Sequence, residues 1–134
     1  MIRQISIFAE NKKGAMQNLT AALAAAGIDI ETMVTNDSAE FGIIRMIVSD
    51  PELARDALTE AGYLVHIDDV ISVDLNDTPG GLNTLLLDIK KSNVNLDYIY
   101  ISYDRKTAVP QAIIKSQDMA DFEECLKGYG HRLR

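Results

Sequence analysis

The sequence contains one internal repeat, and this limits the folds open to the chain more than any other feature does. The segment at positions 10–16 recurs at positions 76–82, an offset of 66 residues, and Leu58 recurs as Leu126 at an offset of 68. What recurs is the pattern of apolar residues and glycines, with small insertions in loops, which tolerate changes of length best. Such self-similarity is typical of a chain built from repeated structural units. We therefore predict two modules, residues 1–68 and 69–134.

Both halves predict the same order of elements. Alternating apolar residues from Ile2 to Ala9 predict a strand, and the apolar stripe over positions 14–26 predicts a helix. A turn is predicted at Asn36-Asp37-Ser38, where turn-forming residues are clustered. The same reasoning predicts further strands at 28–35, 41–48, 63–67, 70–75, 94–103, 111–115 and 131–134, and further helices from Pro51 to the stop at Gly62, at 81–91 and at 118–129. Each half thus has the order βαββαβ.

This order predicts an α+β fold of two ferredoxin-like βαββαβ modules, with antiparallel sheets and the helices of each module on one face. Modules of this size bury so little surface that each would be only marginally stable alone, so we expect them to pack on each other or to dimerise. One strand of the second half is apolar on both faces, with Val94, Leu96, Tyr98 and Tyr100 on one face and Ile99 and Ile101 on the other. We therefore expect the open face or the edge of the second module to pack on another module.

Charge and composition argue against several classes of protein. The net charge of −7 and the pI of about 4.7 disfavour binding to nucleic acids and to anionic membranes, because both need clustered cations. The opening residues Met1-Ile2-Arg3-Gln4 predict no signal peptide, and no apolar run is long enough to span a bilayer, so we expect a cytoplasmic protein. One cysteine and two histidines leave a poor set of catalytic groups and metal ligands. We expect no cofactor, no metal and no enzymatic activity.

The segment Asp77-Thr78-Pro79-Gly80-Gly81-Leu82 follows a predicted strand and opens a predicted helix. It resembles the D-x-P-G-x-L signature of ACT domains, and the order of elements and the module size agree with this resemblance. The resemblance covers essentially the whole chain, once in each half, and the chain looks like the stand-alone tandem ACT proteins, in which no catalytic domain is attached. It implies an amino-acid-binding regulatory protein of amino-acid metabolism, likewise without catalytic activity, that forms a homodimer and acts on a regulated enzyme. The ligand-binding residues that it implies in the second half are Asp77, Pro79, Gly80, Gly81 and Leu82.

A physical reason supports a ligand at this loop. The first turn of a helix presents unpaired N–H groups and the positive end of the helix dipole, which together suit the carboxylate of an amino acid. The corresponding candidates in the first half are Asn11, Gly14, Ala15 and Met16. This half lacks the aspartate and the proline and has Lys12 and Lys13 instead, so we expect the two loops to differ.

Other chemically active residues have structural interpretations. We expect His66 to be a structural strand residue and His131 to be solvated near a fraying end. Cys125 shares a helical stripe with apolar residues, so we expect it in the core. The adjacent Asp68 and Asp69 point to opposite faces of a strand, which disfavours a shared metal ion.

Two rival functions remain open at this point. The chain is a structural or protein-interaction domain if its ligand loops are vestigial, and the non-matching first loop motivates this alternative. A small enzyme would need an acid–base pair or a nucleophile and base in one cleft, and the sequence places none.

Overall fold

The computed structural model describes residues 1–36 and 41–134, with the backbone alone for Phe41. The predicted turn at Asn36-Asp37-Ser38 therefore lies, apart from Asn36, outside the described residues. The described part of the chain forms an α+β fold. Its strands are β1 (Ile2–Glu10), β2 (Ile30–Thr35), β3 (Phe41–Val48), β4 (Leu64–Asp74), β5 (Leu96–Tyr103) and β6 (Pro110–Ser116), and its helices are α1 (Ala15–Ala25), α2 (Pro51–Glu60), α3 (Gly81–Lys91) and α4 (Met119–Gly128).

The chain divides into two compact units. The N-terminal unit is Arg3–Asp68, and the C-terminal unit is Asp69–Arg134 together with Met1–Ile2. Strands in the N-terminal unit lie in the order β2-β3-β1-β4, so that each βαβ connection passes over one neighbouring strand. In the C-terminal unit the order is β4-β6-β5, and β6 pairs antiparallel with both β4 and β5. The predicted fold class, two ferredoxin-like modules, is confirmed.

The predicted strands at 63–67 and 70–75 are one strand. β4 runs without interruption from Leu64 to Asp74, because the residues between the two predictions include neither glycine nor proline to end it. The predicted strand at 131–134 is reduced to a single bridge between Val73 and Leu133. Two main-chain bonds of 2.9 Å flank this bridge, from Asp74 N to Arg132 O and from Arg134 N to Ser72 O. The segment thus occupies the position of a fourth strand with little pairing.

The repeat is visible in the side chains that each unit buries. α1 buries Leu19 and Leu23, and α3 buries Leu85 and Ile89, which are the same positions at an offset of 66. α2 and α4 correspond likewise at an offset of 68, since α2 buries Leu58 where α4 buries Leu126. Each such side chain contributes about 1.5–3 kcal/mol through the water that it releases. The two units therefore have separate cores built on one plan.

β5 departs from the predicted alternation. A register shift between Leu96 and Tyr98 inserts one residue against β6, as a β-bulge does. Ile99 consequently joins Leu96 beside the apolar core, while Tyr98 and Tyr100 stack together with ring centroids 6.4 Å apart. The prediction that Leu96 shares a face with the two tyrosines was wrong, because perfect alternation cannot anticipate a bulge.

Two further observations complete the fold. Cys125 is half-buried rather than a core residue, since α4 turns Phe122 and Leu126 inward instead. None of the helices in the described ranges has the length and apolar character needed to cross a membrane.

Candidate functional site

Two equivalent turns lead into α1 and α3. In both, a glycine with positive φ precedes the helix: Gly14 has a φ of 82° and Gly80 a φ of 89°. The main-chain bonds also correspond, since Ala15 N donates to Lys12 O at 3.2 Å and Gly81 N donates to Thr78 O at 3.0 Å. The two turns thus agree at the glycine and in this hydrogen bond, although their sequences differ. Glycine is the residue suited to this positive φ, because it has no Cβ to clash with the backbone.

The helices fall into two classes by how they begin. The carboxylates of Asp50 and Asp118 cap α2 and α4 by accepting hydrogen bonds from Leu53 N at 3.1 Å and from Asp121 N at 3.4 Å. Neither α1 nor α3 receives a side-chain cap from the described residues. The first amide of each of these two helices donates within its own loop, so the second and third amides remain available to an acceptor from outside the chain.

A cavity of about 460 Å³ opens beside the start of α1. The loop residue Asn11 lines it together with Ala15 and Met16, and β2 and β3 supply Thr35 and Ile44. Charged side chains at its rim are paired, since Lys12 Nζ lies 3.2 Å from Glu10 Oε2. This cavity has the size of a small-molecule site, and both apolar and polar side chains line it.

The second cavity, of about 630 Å³, opens beside the start of α3 and is more polar. Asp77 and Gly81 line it from the loop, and Asp74, Asp88 and His131 line it from other elements. Further lining residues are Leu75, Asn76, Thr84, Leu85, Ala108, Val109, Pro110, Tyr129, Gly130 and Arg132. Within the described ranges, the exposed carboxylate of Asp77 takes part in no hydrogen bond or ion pair.

The carboxylates of Asp74 and Asp88 are both compensated. Asp74 Oδ1 accepts a bond of 3.1 Å from Gln111 Nε2 and lies 3.0 Å from Arg134 Nε. Asp88 Oδ2 lies 2.7 Å from His131 Nε2, and Asp88 Oδ1 lies 3.5 Å from Lys91 Nζ. The hydrogen bond from His131 lowers the pKa of Asp88, because it stabilises the ionised form, and Lys91 adds to this effect. Of the three carboxylates that line the second cavity, Asp77 is therefore the one that is unpaired and open to a ligand.

Gly81 has a different role from the one expected for a ligand-facing glycine. A Cβ at this position would lie 2.2 Å from the main-chain oxygen of Asn76, well inside any allowed contact. The loop thus folds back against the helix start, and the absence of a side chain permits this approach. The corresponding residue of the first half is Ala15, so the loop before α1 leaves room for a methyl group.

The predicted ligand-binding residues are only partly brought together. Asn11, Ala15 and Met16 line the first cavity, and Asp77 and Gly81 line the second. The remaining predicted residues, Gly14, Pro79, Gly80 and Leu82, shape the turns without lining either cavity.

Sequence reasoning missed the residues that distant elements bring to the loops. His131 was expected to be solvated, yet its side chain is only 15% exposed and is bonded to Asp88, which is 16% exposed. The signal that could have found Asp88 is the repeat itself, because α1 has Ala22 at the corresponding position.

The other candidate residues have structural surroundings. His66 packs edge-on against Phe8, with ring centroids 5.9 Å apart, as expected of a strand histidine. Asp68 accepts a bond of 3.1 Å from the hydroxyl of Ser6. No group of three or more His, Cys, Asp or Glu side chains in ranges 1–36 and 41–134 is arranged to hold a metal ion.

Comparison with known proteins gives matches in sequence and in structure. The family model described as an ACT domain pair matches residues 1–108. A Bacteroides thetaiotaomicron protein of known crystal structure is 32% identical, with a TM-score of 0.90 over 98% of this chain and 90% of that chain. The regulatory subunit of aspartate kinase from Thermus thermophilus has the same fold, with 19% identity and a TM-score of 0.69 over 96% of this chain and 90% of that chain. The corresponding Thermus flavus subunit has 18% identity and a TM-score of 0.62, over 92% and 86% respectively. Comparison with curated protein sequences gave no match.

Proposed function

Because the chain belongs to the family of ACT domain pairs, we propose that it is a regulatory protein that binds an amino acid or a similar small carboxylate. In this proposal residues 1–68 and 69–134 are the two ACT modules, and neither is catalytic. The protein acts in the cytoplasm as a homodimer and passes the state of its ligand sites to a regulated enzyme.

The observation that carries the proposal is the difference between capped and uncapped helices. Asp50 and Asp118 close the starts of α2 and α4, whereas α1 and α3 open uncapped beside a cavity in their own unit. A helix start with unsatisfied amides is a ready site for an anion. An uncapped helix start beside a cavity occurs in both units. This repetition supports a ligand-binding role for the loops.

The groups at the second loop suit a zwitterion. The second and third amides of α3 would receive the α-carboxylate, and the unpaired carboxylate of Asp77 would accept hydrogen bonds from the α-ammonium group. In the first loop the side-chain amide of Asn11 takes the position of Asp77. We therefore propose Asn11, Gly14, Ala15, Met16, Asp77, Pro79, Gly80, Gly81 and Leu82 as the two ligand loops, with the turn glycines acting through the backbone.

Differential scanning calorimetry against each of the twenty amino acids tests the proposal. A ligand present at about 100 times its Kd adds about 2.7 kcal/mol to the stability of the native state and raises Tm accordingly. We expect at least one amino acid at millimolar concentration to raise Tm. The proposal fails if all twenty leave Tm unchanged.

A matched substitution separates the two loops. Asp77→Asn gives the second loop the residue that the first loop has at the corresponding position, Asn11. We expect this variant to fold normally and to lose about tenfold or more in affinity, since a hydrogen bond to a charged group contributes about 1.5–3 kcal/mol. An unchanged response would remove Asp77 from the site.

One observation favours the alternative of a protein-interaction domain. α3 exposes three large apolar side chains, Leu82, Leu86 and Leu87, on its outer surface. If this surface binds a partner and the loops are vestigial, Leu87→Glu abolishes partner binding while no amino acid changes Tm in the parent protein. Sedimentation velocity of the parent protein and of the Leu87→Glu variant shows whether this surface of α3 joins two copies of the chain.

A further inference from the structure

The repeat can be aligned residue by residue at two places that matter for the second cavity. α1 and α3 have the same length and correspond at an offset of 66 residues. Ala22 in α1 is therefore the counterpart of Asp88 in α3. After α2 and α4, Tyr63 N donates to Leu58 O at 3.0 Å and His131 N donates to Leu126 O at 3.1 Å. Tyr63 and His131 are therefore counterparts at an offset of 68.

At these two positions the N-terminal unit has residues packed on its apolar core, and the C-terminal unit has an acid and a histidine. Ala22 and Tyr63 pack against the apolar core of the N-terminal unit. Asp88 and His131 instead form a hydrogen-bonded pair of 2.7 Å with little exposure to solvent. A buried polar pair gains little stability over well-packed apolar residues, because both groups lose their hydration. Stability alone therefore does not explain why the C-terminal unit has this polar pair where the N-terminal unit has two residues packed on its core.

The pair faces the candidate ligand site rather than the core. Both residues line the second cavity, which Asp77 and Gly81 line from the loop. Asp88 is ionised and can only accept, so His131 Nε2 carries the hydrogen and the ring orientation is fixed. The second nitrogen of this ring, Nδ1, has no hydrogen-bond partner in the described part of the chain. It accepts a hydrogen bond when the ring is neutral and donates one when the ring is charged.

We propose that His131, held in place by Asp88, is a specificity-determining residue that binds a polar side chain of the ligand in the second cavity. This rests on the proposed amino-acid-binding function. Among the described residues the first cavity has no such pair, and apolar side chains such as Met16 and Ile44 line it beside polar ones such as Asn11 and Thr35. The contact to a polar ligand side chain thus distinguishes the second unit from the first, and Asp88 acts as a positioning residue.

Proton NMR of the imidazole signals tests the contact directly, because the chain has only two histidines. His66→Gln assigns the two signals without touching the site. The probes are L-serine, L-threonine, L-asparagine and L-aspartate as polar ligands, and L-alanine, L-valine, L-leucine and L-methionine as apolar ligands, each titrated at constant pH. We expect at least one polar probe to shift the His131 signal saturably and to leave the His66 signal in place.

An exchange of the pair tests specificity. The double variant Asp88→Ala with His131→Tyr installs the two residues that the N-terminal unit uses natively. We expect its affinity for the polar probe to fall about tenfold or more, the loss of one hydrogen bond to a charged group, while the response to apolar probes changes less than twofold. Asp88→Asn, which keeps the shape of the pair, is the second variant and should lose an intermediate part of the affinity.

The outcomes separate this inference from the proposed function. If amino acids raise Tm but none shifts the His131 signal, the inference is wrong and the proposed function stands. If the polar probe binds the double variant as tightly as the parent protein, the inference is also wrong. If no probe changes either Tm or the His131 signal, both are wrong.

Discussion

Replacing Gly81 by alanine tests the close packing between the loop and the start of α3. The added methyl group would lie 2.2 Å from the main-chain oxygen of Asn76 and 3.3 Å from its carbonyl carbon. Both partners belong to the backbone, so no flexible side chain can turn aside. The loop would have to move by about 1 Å or more to restore an ordinary contact.

The expected loss follows from two opposing effects. Forcing an extra methyl group into a packed region costs about 1–3 kcal/mol. Replacing glycine by alanine restricts the unfolded chain and returns about 0.4–1 kcal/mol. We therefore expect the Gly81→Ala protein to lose about 1–2 kcal/mol in its free energy of unfolding. For a chain of this length the corresponding fall in Tm is about 4–8 °C.

Calorimetry or urea denaturation measures the change, and the repeat supplies the control. Ala15 is the counterpart of Gly81 and already carries a methyl group, so Ala15→Gly should cost only about 0.5–1 kcal/mol of backbone entropy. A Gly81→Ala protein as stable as the parent, or more stable, would refute the inferred approach of Asn76 to the helix.

Two further predictions concern helix caps and pH. Asp50→Ala removes the cap on Leu53 N and should lower the free energy of unfolding by about 1 kcal/mol in urea denaturation. Asp118→Ala should cost less, because its bond to Asp121 N is longer at 3.4 Å, and the reverse ranking would contradict this reading of the caps. The lowered pKa of Asp88 means that its contribution to stability is complete above its ordinary pKa near 3.8 and is lost as the pH falls through the lower folded value. Asp88→Asn should therefore lose less stability than the parent protein between pH 5 and pH 2, to an extent that calorimetry can measure, and parallel profiles would contradict the pairing with His131.

The candidate site could be predicted where it is local in the chain. The turn at Asp77 and the helix start at Gly81 are adjacent in sequence, and their residue types alone indicate an open helix start. Thr35 and Ile44 reach the first cavity from strands that follow in the chain, and no pattern near Asn11 points to them. Such residues become neighbours only through strand pairing, which a sequence pattern does not specify in register.

The sequence by itself determined the repeat, the order βαββαβ apart from the last strand of the second half, and the glycine turns before α1 and α3. These depend on the periodicity of apolar residues and on turn chemistry, which act over a few residues. Only the tertiary structure decided that β4 is one strand, that a bulge turns Ile99 toward the core, and that His131 meets Asp88 across 43 residues of chain. The physical reason is that packing and strand register join residues far apart in sequence, and the free energy of those contacts depends on the whole unit.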